Sequence, residues 1–441
     1  MLSGSNFRRF TKLAKMNNLK WETPELYGVG HFTDFQLYEE ALLLAKSAGE
    51  INIDSLLSEL PQKVKGLILV ETISTTTIND LLRELLHFNF IKKSDRDKQK
   101  YYIAPEGYEY IQLLNTDKEQ ARDMLLKKMQ EIFVTPAWFI ERMWTLNTSG
   151  QGELVIPTPI KSWRPESKSW DDYHWYNELE LVCEKTFEVI KTNMPGAFPI
   201  ERNEWIQSVK KEYERLGQQQ PRSKKNKCKS TVLFAPRARL SLAMKNISVH
   251  KLFSRINPQT NVQDFPNKRS EMTHRAFSVW CPRLENFNLL FYTDYNPIIP
   301  GRIIFPLASF KVSCERNGFL EKSFIRLSDD RVLYIHNPDN NVFFELFKQT
   351  LVETYQRYYN MQSIMYISVQ DIRDELCRLL RISPNLFESF LQKTYDQSVK
   401  RDFRYYISLE TDLREDMKIQ LNRRGVFING RMYSLIAIKP F

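Results

Sequence analysis

Cysteine, glycine and long apolar runs are scarce in this 441-residue sequence, and each scarcity excludes something. The five cysteines, Cys183, Cys228, Cys281, Cys314 and Cys377, are scattered and form no C-x-x-C pair. That argues against a disulfide framework or a structural zinc site and fits a reducing, intracellular compartment. None of the 14 glycines is followed by lysine, so the phosphate-cradling G-x-x-x-x-G-K-[ST] loop is absent. Neither G-x-G-x-x-G nor G-x-S-x-G occurs, which leaves ATP-driven and α/β-hydrolase chemistry without their usual loops. No stretch of eighteen or more apolar residues exists, so no membrane contact is expected and no membrane-crossing helix has a candidate.

What is present is positive charge and apolar bulk. The net charge is +10 and 42% of the residues are hydrophobic, with a pI near 9.1. The length suits roughly two to four domains, and the charge favours polyanionic partners. Residues 1–34 read as a basic arm, because Arg8, Arg9, Lys12, Lys15 and Lys20 precede the first acid, Glu22. A short organellar presequence is the other reading of that arm. The expected location is cytoplasmic and nucleoid-associated in a bacterium, with nucleus or mitochondrion as the other settings.

Residues 35–119 carry a helix–helix–helix–hairpin order. Leu37, Ala41, Leu42 and Leu44 give a helix over Phe35–Ala48. A second is expected from Asp54, taken as its cap, to Leu60. A third runs from about Thr76 to Asn89, with Ile78, Leu81, Leu82, Leu85 and Leu86 at spacings of three and four. Ser74 to Thr77 supply cap oxygens. A strand at Phe90–Ile91, a charged turn from Lys92 to Lys100 and a strand at Tyr101–Ala104 follow. Pro105, Glu106 and Gly107 then break the strand before a helix near Tyr108.

The middle reads as a helical region, 120–216, with helices at Lys118–Asn147, Asp172–Thr192 and Glu201–Leu216 around a proline-dotted loop from Thr148 to Trp170. Residues 217–240 form a basic loop or linker without an acid. Residues 241–362 form an α+β domain with a small antiparallel sheet. Its strand candidates are Ala276–Trp280, Leu289–Tyr292, Arg302–Leu307, Ser309–Ser313, Phe324–Leu327 and Val332–Ile335. A long helix, Asn341–Tyr359, closes it.

Residues 363–441 repeat a helix–helix–hairpin order, which reads as a second winged helix. Ser368 and Asp371 resemble a capping box before Ile372, Leu376, Leu379 and Leu380. Ser383-Pro384 starts the next helix. Val426–Ile438 reads as a hairpin whose Asn429-Gly430 pair suits a type I′ turn.

Residues 35–119 resemble the MarR-type winged helix-turn-helix regulators. The likeness rests on Ser74–Thr77 with Ile78-Asn79-Asp80-Leu81-Leu82, then Phe90-Ile91-Lys92-Lys93, Asp95-Arg96-Asp97, Tyr101-Tyr102-Ile103 and Pro105-Glu106-Gly107. It covers less than a fifth of the 441 residues. It implies that the helix after the threonine cluster reads a major groove and that the D-R-D turn forms the wing. The physics agrees, since such a helix fits the groove and its N-terminal side chains reach base edges. The expected duplex contacts are Thr75, Thr76, Thr77, Asn79 and Arg83 on the helix, and Lys92, Lys93, Arg96, Lys98 and Lys100 on the wing. Secondary phosphate contacts are expected from Arg222, Lys224, Lys225, Lys227 and Lys229 in the basic loop, and from Arg423, Arg424 and Arg431 beside the last hairpin. Glu388, Glu410, Asp412, Glu415 and Asp416 would oppose phosphates at that second module.

Catalytic readings are weaker. His174 and Glu178, four apart on one helix near Asp171, have metal-ligand spacing, yet Asp172 serves equally as a cap and the glutamates as solvated surface. A metal-dependent nuclease would need clustered acids with a lysine; Glu285, Asp294, Asp329 and Asp330 lack an E-x-K partner. Phe277, Trp280, Phe291, Tyr292 and Tyr295 could stack unpaired bases, although a buried sheet face needs the same residues. The sequence therefore points to a multidomain α+β protein with no cofactor and no metal. Its expected role is non-catalytic binding of double-stranded DNA, as a recognition or accessory subunit with other protein subunits. Single-stranded nucleic acid is a further candidate partner. The alternatives are a scaffold whose winged helices dock proteins, and a metal-dependent nuclease.

Overall fold

The computed structural model describes residues 34–64, 73–132, 139, 142–143, 146, 152–163, 172–218, 236–253, 274–294, 296, 298–311, 324–326, 332–335, 341–411 and 425–441. The described residues form twelve helices and five small antiparallel sheets, a mixed α/β architecture. None of the helices is long and apolar enough to cross a membrane.

The N-terminal body comprises α1 (Gln36–Ala48), α2 (Ile53–Lys63), α3 (Thr75–His87), β1 (Ile91–Lys93), β2 (Tyr101–Ile103), α4 (Pro105–Thr116) and α5 (Lys118–Ile132). Helix α1 buries Leu37, Tyr38, Ala41, Leu42, Leu44 and Ala45 and stops at Gly49, whose φ is 79°. The cap of α2 is Asn52 rather than Asp54: its side chain accepts from the Ser55 amide at 2.8 Å while the Ser55 hydroxyl accepts from the Asn52 amide at 3.0 Å. That reciprocal pair satisfies two otherwise unbonded amides. Ser74 caps α3 by accepting from the Thr77 amide.

Strands β1 and β2 pair with Ile91 opposite Ile103, and Ile51 bridges Tyr101 on the far side of β2. Lys92 and Lys93 thus sit in a strand, and the turn is shorter than the sequence suggests. Helix α4 starts at Pro105, three residues earlier than expected, because proline's missing N–H is harmless at the first helical position. Gly107 is required there, since a Cβ would lie 2.1 Å from the Phe90 carbonyl oxygen.

The central body corrects several expectations. Strand β3 (Leu154–Pro157) lies in a segment read as loop. It pairs with β5 (Gly301–Pro306), whose other neighbour is β4 (Leu290–Thr293), giving the order β3-β5-β4. Its partner is remote in sequence, so no local hairpin signal existed. Around this sheet lie α6 (Asp172–Asn193), α7 (Arg202–Gly217), α8 (Pro236–Phe253) and α9 (His274–Asn286). Ala276–Trp280 is thus helical rather than a strand; a short run buried on several sides has no usable period. Helix α8 takes the end of the presumed basic linker. Within it, Arg237 donates to the carbonyls of Pro159, Ile160 and Trp163, and Arg239 stacks 3.8 Å from the Tyr213 ring centre. A second sheet of β6 (Ala308–Lys311), β7 (Phe324–Arg326) and β8 (Val332–Ile335) runs β6-β8-β7, so two sheets replace the one expected.

The C-terminal body contains α10 (Asn341–Gln362), β9 (Ile367–Ser368), α11 (Val369–Leu380), α12 (Pro384–Lys400), β10 (Tyr405–Glu410), β11 (Val426–Ile428), β12 (Arg431–Tyr433) and β13 (Leu435–Pro440). Its sheet runs β10-β13-β9. Asn429 and Gly430 both have positive φ, 51° and 75°, as a type I′ turn requires. The tight hairpin ends at Tyr433, however, and β13 pairs instead with β10, a strand the sequence pattern concealed. Ser383 caps α12, whereas Ser368 makes no side-chain cap bond. Both end bodies place a helix, a short extended segment (Ile51 or β9) and two more helices before their strands, two strands in the first body and four in the second, and in each the last strand is central in its sheet.

Each end body is bolted to the centre by buried polar groups. Glu84 of α3 and Arg283 of α9 are fully buried and pair at 3.1 Å and 3.2 Å, and the Tyr38 hydroxyl donates to the same carboxylate. Phe35 packs on Phe287 with ring centres 4.7 Å apart. At the other end the Thr293 hydroxyl of β4 donates to Asp374 of α11. Arg378 and Arg381 reach Glu153 at 3.4 Å and 2.7 Å, and Arg381 lies 5.0 Å from the centre of the Phe305 ring.

Two stability outcomes follow. Arg283→Met strands a buried carboxylate and should cost about 3–5 kcal/mol, whereas adding Glu84→Leu should recover most of the loss. Urea denaturation with a probe in residues 35–119 measures both, and an unshifted midpoint for the single variant contradicts the pairing. Gly107→Ala should cost about 1–3 kcal/mol through overpacking, read as a lower melting temperature.

Candidate nucleic-acid interface

The sequence-predicted contacts fall on two elements of the N-terminal body that touch each other, the start of α3 and the β1–β2 hairpin. Thr75, Thr76 and Asn79 are exposed at the start of α3, and Thr77 is half-buried with its hydroxyl 3.0 Å from that of Ser74. The opposite face of α3 buries Ile78, Leu81, Leu82 and Leu85. Thr75, Thr76 and Asn79 thus place short hydrogen-bonding side chains at a helix N-terminus.

Lys92 and Lys93 are exposed on β1, and Arg96 and Lys98 are exposed at the hairpin tip. The tip holds its own shape. The Ser94 hydroxyl accepts from the amides of Arg96 and Asp97, each at 3.2 Å, and the Asp97 carboxylate accepts from the Gln99 amide at 2.9 Å. Lys93 also lies 5.9 Å from the Tyr101 ring centre. Asp95 and Asp97 are the exposed acids among these cations.

Two predicted contacts have prior engagements. Arg83 is half-buried and ion-paired with Asp80 one turn earlier. Lys100 pairs with Glu50, which also accepts from the Tyr102 hydroxyl at 2.9 Å. The hydrogen bonds from Lys100 and Tyr102 hold the Glu50 carboxyl below its ordinary range. Lys92, Lys93, Arg96 and Lys98 remain the exposed cations of the β1–β2 hairpin.

Sequence reasoning missed Glu84. It falls between Leu81 and Leu85 on the buried stripe of α3, and that placement was the one available signal. Burial, then the Glu84 charge, pushes the Tyr38 hydroxyl well above its ordinary range, so it stays protonated and donates.

The second module is less open. Arg431 is exposed, whereas Arg423 and Arg424 lie outside the described residues, as do Arg222, Lys224, Lys225, Lys227 and Lys229. Asn385, Ser389 and Lys393 are exposed on α12. Gln392, however, bonds Asp396 at 2.9 Å and accepts the Asn429 amide at 3.0 Å, so the β11–β12 hairpin lies over the middle of the helix. Burial raises the carboxyl pKa of the nearby Glu388.

The central aromatic cluster is core. Phe277, Trp280 and Phe291 are at most 1% exposed, and Tyr292 is half-buried with Arg302 at 4.4 Å from its ring centre; Tyr295 lies outside the described residues. That excludes Phe277, Trp280 and Phe291 as a base-stacking surface. Glu178 accepts from the Trp163 indole at 2.8 Å, and the His174 side chain, Asp171, Asp329 and Asp330 lie outside what is described. Among the described residues no three His, Cys, Asp or Glu side chains come together as a metal-binding group.

Near Arg302, burial and then the charges of Lys245 and Arg302 hold the His274 imidazole down to about 4. A depressed histidine stabilises the fold fully above its unfolded value of about 6.5 and loses that contribution as pH falls toward the folded value. The thermal midpoint should therefore fall between pH 6.5 and pH 4, and His274→Gln should flatten that fall; an identical pH profile in the variant would contradict it. No family model matches the chain, and neither does a curated protein or a solved structure.

Proposed function

We propose that this chain is a non-catalytic DNA-binding protein, a recognition or accessory subunit that meets duplex DNA through a winged helix at residues 35–119. The observation that carries the reading is one of shared exposure. Thr75, Thr76 and Asn79 are open to solvent, as are Lys92, Lys93, Arg96 and Lys98 on the adjoining hairpin. A helix tip with polar groups meets base edges while a cationic hairpin meets the neighbouring phosphates. The order α1, Ile51, α2, α3, β1, β2 supports the winged-helix reading, whereas in the second body α11 and α12 are followed by four strands. The second module suits a protein partner better, because its own hairpin occupies the face of α12 around Gln392.

The direct test is fluorescence anisotropy with a labelled duplex. Affinity should fall steeply with salt, with a log–log slope of about −0.9 for each phosphate neutralised. Arg96→Glu with Lys98→Glu should lower affinity at least roughly tenfold and shrink the salt slope by about two units, with an unchanged melting temperature. Unaltered binding would remove the wing from the mechanism. A protein scaffold would instead give weak, salt-insensitive duplex binding.

A further inference from the structure

An aromatic and cationic face lies at the opposite end of the chain, away from the first wing in sequence. Tyr406 on β10 and Phe441, just past β13, are 48% and 60% exposed. Their rings form an edge-on pair with centres 6.1 Å apart. The exposed Arg401 stands 5.7 Å from the Phe441 ring centre, and the exposed Arg404 stands 4.8 Å from that of Tyr405. Lys439 is exposed directly across from Tyr406 in the β10–β13 ladder. Asp402, and Glu410 farther along β10, are exposed acids among the described residues of this region.

Two large exposed rings flanked by cations are a costly surface to leave in water. Neither ring closes a core, since the same sheet buries Ile407, Ile436 and Ile438 on its other side. Arg401 also holds a left-handed backbone, φ 64°, where glycine or asparagine would be less strained. Arginine there places a guanidinium over a ring.

We propose that Tyr406 and Phe441, with Arg401 and Lys439, form a stacking platform for the unpaired bases of a single-stranded nucleic acid. Bases stack on the rings irrespective of identity, and the cations follow the phosphates. The cations Arg401 and Lys439 beside the two rings favour that polyanion over a protein strand adding to the β10 edge. The platform shares no residue with the duplex surface, so neither reading depends on the other.

The experiment measures the full-length chain against labelled oligothymidine and against a blunt duplex in parallel. Tyr406→Ala with Phe441→Ala should weaken oligothymidine binding at least roughly fivefold, the lower range for losing one stacked base, and leave duplex binding unchanged. Tyr406→Trp should retain oligothymidine binding. The wing variant Arg96→Glu with Lys98→Glu should leave oligothymidine binding intact. Wild-type affinity for oligothymidine in the double-alanine chain, or no affinity in the unaltered chain, overturns the platform whatever the duplex arm gives. Loss on Arg401→Glu without loss on ring removal overturns the stacking as well.

Discussion

The buried pair of Glu84 and Arg283 governs the geometry on which the functional reading depends. A carboxylate and a guanidinium, both without solvent exposure, meet on the inner face of the helix whose outer face carries Thr75, Thr76 and Asn79. Such a pair adds little net stability, because desolvation offsets most of the attraction. What it adds is uniqueness: sliding α3 against α9 would strand both charges. The Tyr38 hydroxyl, kept protonated by burial and by Glu84, donates to the same carboxylate and ties α1 into the joint. The joint therefore fixes α3 against α1 and α9, and a surface preformed in this way would lower the ordering cost of the proposed binding.

The C-terminal body obeys the same logic with different chemistry. Asp374 accepts the Thr293 hydroxyl, and Glu153 gathers Arg378 and Arg381. The central sheet and α9 thus act as a frame that holds two similarly ordered bodies. Their outer faces differ. The first leaves its third helix bare beside a cationic hairpin, and the second draws its hairpin over Gln392. The second body instead exposes rings and arginines at the far edge of its sheet.

Much of this was legible in the sequence wherever the signal was local. Ser74 and Ser383 cap the helices they precede, the three-and-four spacing of Ile78 to Leu85 marks a real buried stripe, and Asn429-Gly430 turns as its residue types require. Failures share a cause, which is dependence on distant partners. Strand β3 becomes a strand because β5 lies beside it, and Ala276–Trp280 coils because helices and sheet surround it. Lys100 is paired by Glu50, fifty residues earlier, a partner that no local pattern announces. Phe277 and Trp280 left stacking and core readings open in the sequence, and their burial settles the core, whereas Tyr406 and Phe441 are exposed.

The central claim is that one duplex touches the tip of α3 and the β1–β2 hairpin together. Amide hydrogen exchange on the full-length chain, with and without duplex DNA at low salt, addresses it most directly. The account predicts slowed exchange at Thr75–Asn79 and Lys92–Lys98, with the α3 interior around Glu84 unchanged. Slowed exchange confined to other parts of the chain, or none at all at saturating duplex, would contradict it.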